Sequence, residues 1–242
     1  MEDNIEKKHI GNRRIILELR FDHKMILADK KGELIENLKK CMVFNPYHWE
    51  MGAANFVLFN GPKKEDSNTT LNVELNRISF ISRKIDSIDG YYNSFKKLYD
   101  VVINTLGTLD VQRIGCRIQG TYYSNDNSFH DLLIKMKSIM PQQFLIEDYS
   151  ATDYRFELRY RNGMYMVGPV NDNNEPFMME VFPNADSKKH IGFAIDTDNY
   201  ITNEVQNIND EKLIKSVFTA SLSVEKKLFS NLFALKDVKQ TK

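Results

Sequence analysis

The sequence contains few cysteines and no excess of either charge. Its 242 residues include two cysteines, and 33 acidic residues balance 33 basic ones. Two cysteines without metal-ligand spacing exclude a disulfide framework and a cysteine-based zinc site. A formal net charge of zero excludes a global field that would draw the protein onto nucleic acid or an anionic membrane, so any such binding must be local.

Long apolar runs are also missing. No stretch approaches the ~18 consecutive apolar residues of a membrane span. The opening residues Met1 to Lys8 lack the apolar segment of a secretory signal. We therefore expect a cytoplasmic protein with no membrane partner, in which Cys41 and Cys116 are reduced core residues. With 42% hydrophobic residues, the chain can bury the core of one domain spanning residues 1–242.

A strand-and-helix pattern occurs twice in the chain. Polar and apolar residues alternate from Arg14 and again from Arg113, and a helical spacing of apolar residues follows each run. We predict two similar halves, 13–107 and 108–235, each made of a strand, a helix, several antiparallel strands and a long helix. The expected fold class is α+β, with a curved antiparallel sheet and helices packed on one of its faces.

Turn and periodicity signals place the remaining elements. They predict helices over 29–42, 90–106 and 209–233, strands at 53–59, 70–75, 77–84, 111–122, 154–160, 176–182 and 190–198, and a loop at 45–49. Asn162-Gly163 is the strongest hairpin signal. Asn125 to Ser128 offer caps for a further helix.

Two segments carry a resemblance to a known family. The first runs from Tyr91 to Tyr123 and includes Leu106-Gly107 and Gln112-Arg113-Ile114-Gly115-Cys116-Arg117; the second is Gly192-Phe193-Ala194-Ile195-Asp196-Thr197-Asp198 with the long last helix. Together they resemble a sporadically distributed, functionally uncharacterised prokaryotic family of roughly this length. The resemblance implies the duplicated α+β fold and carriage on mobile-element or phage-defence loci.

The chain departs from that family at Arg117-Ile118-Gln119-Gly120, where an Arg-Tyr-Ile-Asn type of sequence is typical. The duplicated arrangement also looks like the architecture of TATA-box-binding protein, which is an analogy of fold and not of function.

Arginines recur at the polar positions of the predicted strands. If these strands are neighbours, one sheet face carries the side chains and can bind phosphates bidentately. Glu18, Asp22 and Glu157 share the same positions, so cross-strand ion pairs on a solvated face are the alternative interpretation. The arginines concerned are Arg14, Arg20, Arg113, Arg117, Arg155, Arg159 and Arg161.

Asp196 and Asp198 form the acidic candidate. Their i,i+2 spacing projects both carboxylates from one face of a strand, where two oxygens can hold Mg²⁺ or Ca²⁺. Glu180 is the nearest further donor, and the five histidines show no metal-ligand spacing. A turn or an edge strand is the structural alternative for this pair.

Trp49 is the single tryptophan, and it serves either as a core residue or as an interface anchor. No nucleophile motif and no glycine-rich phosphate loop occurs in the sequence. We therefore expect a non-catalytic protein-interaction module with a protein partner and no cofactor, for which homo-oligomerisation is also open. The alternatives are a nucleic-acid-binding module that uses the arginine face and a metal-dependent enzyme acting on phosphate esters.

Overall fold

A computed structural model of the chain describes residues 5–41, 43, 45–64, 66–137, 139, 155–160, 162–170, 191–202 and 211–235. The helices are α1 Ile26–Lys40, α2 Ile88–Leu106, α3 Phe129–Lys137 and α4 Glu211–Phe233, and a 3-10 turn occupies Lys7–His9. The strands are β1 Ile10–Phe21, β2 His48–Met51, β3 Asn55–Phe59, β4 Thr69–Glu74, β5 Arg77–Ser82, β6 Val111–Tyr123, β7 Phe156–Tyr160, β8 Gly163–Val170 and β9 Gly192–Ile201. Among these residues no helix is long and apolar enough to cross a membrane.

The strands form one sheet, in the order β2-β3-β4-β5-β1-β6-β9-β8-β7, and each neighbouring pair is antiparallel. The two long strands β1 and β6 lie at its centre, with Leu17 opposite Cys116. Each half places its first strand beside its last, since β1 pairs with β5 and β6 pairs with β9. The α+β fold is therefore confirmed, whereas descent of the two halves from one duplicated unit stays a prediction.

The four helices of the described residues cover the same face of the sheet. The larger core cluster joins Leu17 of β1 to Leu34 of α1, Phe95 of α2 and Phe218 of α4. A smaller cluster joins Tyr122 of β6 to α3 and to the second half of α4. The apolar alternation of β1 therefore faces helices, and the intervening polar side chains of β1 project from the opposite face.

Local signals fix the ends of several elements. Ser87 caps α2, because its Oγ accepts a hydrogen bond of 2.9 Å from the backbone N–H of Gly90. Gly107 ends the same helix with a positive φ of 84°, and its N–H donates to the carbonyl of Ile103. Ser128 caps α3 by accepting from the N–H of Asp131. These ends agree with the sequence-based boundaries to within a few residues.

Three expectations need correction or lie outside the described residues. The predicted loop at 45–49 is wrong in part, because residues from His48 onward pair with β3 as an additional strand. β1 begins at Ile10, ahead of the alternation that the sequence shows from Arg14, and Ile5 is buried. The predicted strand at 176–182 falls outside the described residues.

Candidate binding site on the polar sheet face

The face of the sheet opposite the helices carries a band of charged side chains, which we call the polar face. It extends across five strands, and the register brings its members side by side: Glu18 lies opposite Gly115, and Arg117 lies opposite Asp198. Its central members are Arg14, Glu18, Arg20, Glu74, Arg77, Arg113, Arg117, Gln119, Asp196 and Asp198. Polar and core positions alternate along these strands, so the core residues face the helices and the charged residues face the opposite side of the sheet.

Arg117 and Asp196 form a two-pronged ion pair on this face. The Nε and Nη2 atoms of Arg117 donate to the two carboxylate oxygens of Asp196 at 2.9 and 2.6 Å. Gln119 donates a further hydrogen bond of 2.9 Å to the same carboxylate, and its own amide oxygen accepts one from Arg14. Because Asp196 is buried, these donors replace the water that its carboxylate loses on folding.

A second chain of ion pairs runs through Arg113. Its guanidinium donates to Glu18 at 3.3 Å and to Asp198 at 3.2 Å, and it lies 4.5 Å from the centre of the Tyr200 ring. Arg20 donates to the same Glu18 carboxylate at 2.7 Å. Arg77 lies 3.6 Å from the other oxygen of Glu18, so this carboxylate pairs with three arginines.

Burial raises the pKa of the Asp198 carboxyl above its usual value, and the positive charges of Arg113 and Arg117 only partly oppose this effect. The carboxyl therefore sits where water is scarce although arginines surround it.

A depression of about 150 Å³ lies between these two groups of ion pairs. Gly115 lies at this point of β6, where the missing side chain leaves room between its neighbours. The lining consists of Ile16, Glu18, Arg20, Arg113, Gly115, Arg117 and Asp198. Three guanidinium groups and two carboxylates thus surround a space the size of one side chain.

A larger groove of about 370 Å³ lies on the other side of the molecule, between α2 and α4. Aromatic residues of α2, including Tyr92, Phe95 and Tyr99, line it together with Ile214 of α4. Burial and the neighbouring charge of Asp100 raise the pKa of Tyr99 to about 12, so its hydroxyl stays protonated near neutral pH. The groove is largely a seam between two packed helices.

The arginines predicted from the sequence are only partly brought together. Arg14, Arg20, Arg113 and Arg117 lie side by side on β1 and β6, whereas Arg159 lies on the same face at β7, beside Glu157. Arg155 immediately precedes β7 and is exposed, and position 161 lies outside the described residues.

Asp196 and Asp198 do share one face of β9, as their spacing predicts. The predicted turn or edge position is wrong, because β9 lies inside the sheet between β6 and β8. Each carboxylate is held by an arginine, Asp196 by Arg117 and Asp198 by Arg113. Within the described ranges no group of three or more His, Cys, Asp and Glu side chains is placed to hold a metal ion.

Trp49 lies away from the polar face, on the edge strand β2. Its ring is 47% exposed and is therefore not a core residue. The ammonium group of Lys39 in α1 lies 5.2 Å from the ring centre. This exposed position agrees with the interface alternative but does not identify a partner.

Sequence reasoning missed a buried ion pair between Arg13 of β1 and Glu225 of α4. Their side chains are 5% and 1% exposed, and the Tyr122 hydroxyl also donates to the Glu225 carboxylate. Two signals could have revealed the pair. Arg13 lies two residues before the core residue Ile15, so both side chains lie on the same face of β1. Glu225 lies seven residues after the core residue Phe218, on the apolar side of α4.

Comparisons with known proteins add no assignment. No protein-family model matches the chain, and no curated protein is significantly similar to it. The family resemblance noted from the sequence therefore stays a prediction, and the function must be inferred from the geometry of the polar face.

Proposed function

We propose that the protein is a non-catalytic interaction module that binds a protein partner through the polar face. The observation that carries this proposal is the small depression around Gly115, whose lining carries charges of both signs. Its volume, its mixture of charges and the ion pairing of its carboxylates each favour a protein partner over the alternatives.

The size of the depression favours a partner side chain. Pockets for cofactors and drug-sized ligands typically enclose ~300–1,000 Å³. A space of about 150 Å³ is too small for such ligands, but it accommodates one polar side chain at the centre of a broader contact. Interfaces commonly place such an anchor in a central pocket with a polar surround.

The charge balance of the face favours a protein over a polyanion. Arg20 and Arg113 both pair with Glu18, and Arg117 pairs with Asp196. A phosphate group would have to displace these carboxylates from their arginines, whereas a protein surface offers groups of both signs. Paired charges of this kind contribute more to specificity than to affinity.

The carboxylates of the depression are engaged in ion pairs, which supports a binding role over acid–base chemistry. Asp198 is held by Arg113, and Glu18 is shared among three arginines. A general base must be free to take a proton from a substrate, so these contacts oppose that role.

Nucleic-acid binding is the second candidate. The observation that favours it is the alignment of four arginines, Arg14, Arg20, Arg113 and Arg117, across the two central strands. A nucleic-acid strand along this line would place its phosphates against several guanidinium groups. The affinity of the protein for nucleic acid would then fall steeply with salt concentration.

A comparative pull-down separates the two candidates. Purified tagged protein is incubated with native lysate, with and without nuclease, and the bound protein and nucleic acid are quantified. The polar-face variant combines Arg20→Ala with Arg117→Gln, in which the amide can still donate to Asp196. The matched control combines Lys226→Ala with Lys227→Ala, which removes the same charge from exposed positions of α4.

We expect a protein that is retained after nuclease treatment by the wild type and by the α4 control, and that is lost with the polar-face variant. Nucleic acid that elutes with moderate salt and is lost with the polar-face variant would instead support the second candidate. Equal retention by all three proteins would contradict both. Urea unfolding of each variant verifies that the fold is intact.

A further inference from the structure

The strand β2 forms one edge of the sheet. It pairs with β3 from His48 opposite Phe59 to Met51 opposite Phe56, and in the described part of the chain no strand pairs with its other side. Such an edge presents backbone donors and acceptors to any further strand that approaches it.

The ladder with β3 shows which backbone groups face outward. The N–H of Gly52 donates to the carbonyl of Asn55 at 3.0 Å, so Gly52 is directed towards β3. In an antiparallel ladder this direction alternates from residue to residue. The backbone N–H and C=O groups of Trp49 and Met51 therefore point away from β3 and towards the edge.

The side chains along this edge separate into two kinds. Trp49 and Met51 lie opposite the core residues Leu58 and Phe56, on the helix side, and are 47% and 53% exposed. His48 and Glu50 alternate with them and lie on the opposite side of the sheet. A solvent-facing edge strand with this much apolar surface is unusual, because natural edges are normally protected by charge or proline.

We propose that two copies of the chain form a symmetric dimer in which their β2 strands pair antiparallel about a two-fold axis at Trp49. In this register His48 lies opposite Glu50 of the second copy, and Trp49 lies opposite Trp49 of the second copy. The strand is thus complementary to itself, because an imidazole N–H can donate a hydrogen bond to the facing carboxylate on one side of the sheet and the two Trp49 side chains meet on the other. The outward backbone groups of Trp49 lie opposite each other, as a hydrogen-bonded pair requires.

Neighbouring registers are less favourable. An axis at Glu50 places two carboxylates directly opposite, and an axis at His48 places two imidazoles opposite. Two facing imidazoles lose the hydrogen bond to a carboxylate, and two facing carboxylates repel each other. The sequence of β2 therefore selects the Trp49 register.

Pairing of β2 with β7, the other edge strand among the described residues, would have a different result. That contact is heterologous, so it leaves a free edge on each copy and propagates into longer assemblies. The self-complementary β2 contact closes after two copies. Size measurements therefore distinguish the two arrangements.

Sedimentation velocity of the full chain over a concentration series tests the proposal. Glu50→His and His48→Glu each place like residues opposite across the axis, and the double variant restores complementarity with the partners exchanged. Met51→Pro removes an N–H that points away from β3, so it blocks the edge while leaving the β3 ladder intact. His23→Glu, at an exposed position outside β2, is the matched charge control.

We expect a concentration-dependent dimer whose dissociation constant rises about tenfold in each single variant and returns towards the wild-type value in the double variant. Met51→Pro should give monomer, and His23→Glu should behave like wild type. A wild type that stays monomeric up to about 1 mM, a ladder of larger species, or a dimer unaffected by all β2 variants would overturn the proposal. Circular dichroism of each variant separates loss of dimer from loss of fold.

Discussion

Replacement of the buried Glu225 by glutamine should strongly destabilise the protein. The Arg13 and Glu225 side chains are 5% and 1% exposed, so both charged groups have lost their hydrating water. The ion pair between them compensates for that loss. Removing one member of a buried pair typically costs about 3–5 kcal/mol, because the remaining charge loses its counter-ion without regaining solvent. The pair also links β1 of the first half to α4 of the second half.

The consequence is measurable by urea unfolding. Single domains typically have an unfolding free energy of about 5–15 kcal/mol, so Glu225→Gln would remove a large part of it. With a typical urea dependence of about 1–3 kcal/mol per molar, the unfolding midpoint should fall by roughly 1–5 M. In Glu225→Gln the Tyr122 hydroxyl can still donate to the amide oxygen. The loss of unfolding free energy therefore comes mainly from removal of the negative charge of residue 225.

A double-mutant cycle isolates the interaction between the two side chains. Arg13→Met removes the other charge, and Arg13→Met combined with Glu225→Gln leaves no uncompensated charge. We expect the double variant to be more stable than the sum of the single losses predicts, by at least about 1–2 kcal/mol. Single losses below about 1 kcal/mol that add up in the double variant would refute the argument from burial.

Three further outcomes follow from the same structure. Burial raises the pKa of the Cys116 thiol to about 12, so a native thiol titration should modify Cys41 first and Cys116 only on unfolding; rapid native labelling of both would contradict this. Burial raises the pKa of Asp198, so the folded state binds this proton more tightly than the unfolded state does. As the pH rises from the ordinary aspartate value through the native pKa, the unfolding free energy of the wild type should therefore fall relative to Asp198→Asn, whereas parallel pH curves from urea titrations would argue against it. An added Cβ at Gly163 would overlap the carbonyl oxygen of Asp198, so Gly163→Ala should lower the unfolding free energy by about 1–3 kcal/mol, whereas Gly32→Ala, with open space around it, should not.

Much of the fold could be predicted from the sequence because the signals are local. The alternation around Ile15 and Leu17 identifies β1, the cap at Ser87 and the stop at Gly107 bound α2, and Asn162-Gly163 marks the β7–β8 hairpin. Each signal depends on a few adjacent residues, and tertiary packing agrees with it.

The features that were missed depend on pairing between distant residues. The strand β2 has only four residues and is defined by its partner β3, so its own sequence reads equally well as a loop. Arg13 faces the core because it lies two residues from Ile15 on the same face of β1, but arginine is a residue type normally found at exposed positions. Its partner lies more than two hundred residues away in sequence, so only the fold brings them together.

The candidate site was predictable in kind but not in detail. The alternation of side chains along β6 and β9 places Arg113, Arg117 and Asp198 on one face, as the sequence indicates. Which acid pairs with which arginine depends on register, and the depression at Gly115 depends on what its neighbours leave empty. Neither property can be read from one strand alone.

Site-specific photo-crosslinking tests the central claim most directly. A photoreactive residue replaces Arg20 on the polar face in one protein and Lys226 on α4 in the other, and both are irradiated in native lysate after nuclease treatment. The account predicts a discrete protein adduct from the Arg20 position and none of the same size from the Lys226 position. Equal adducts from both positions, or an adduct from Lys226 alone, would contradict binding through the polar face.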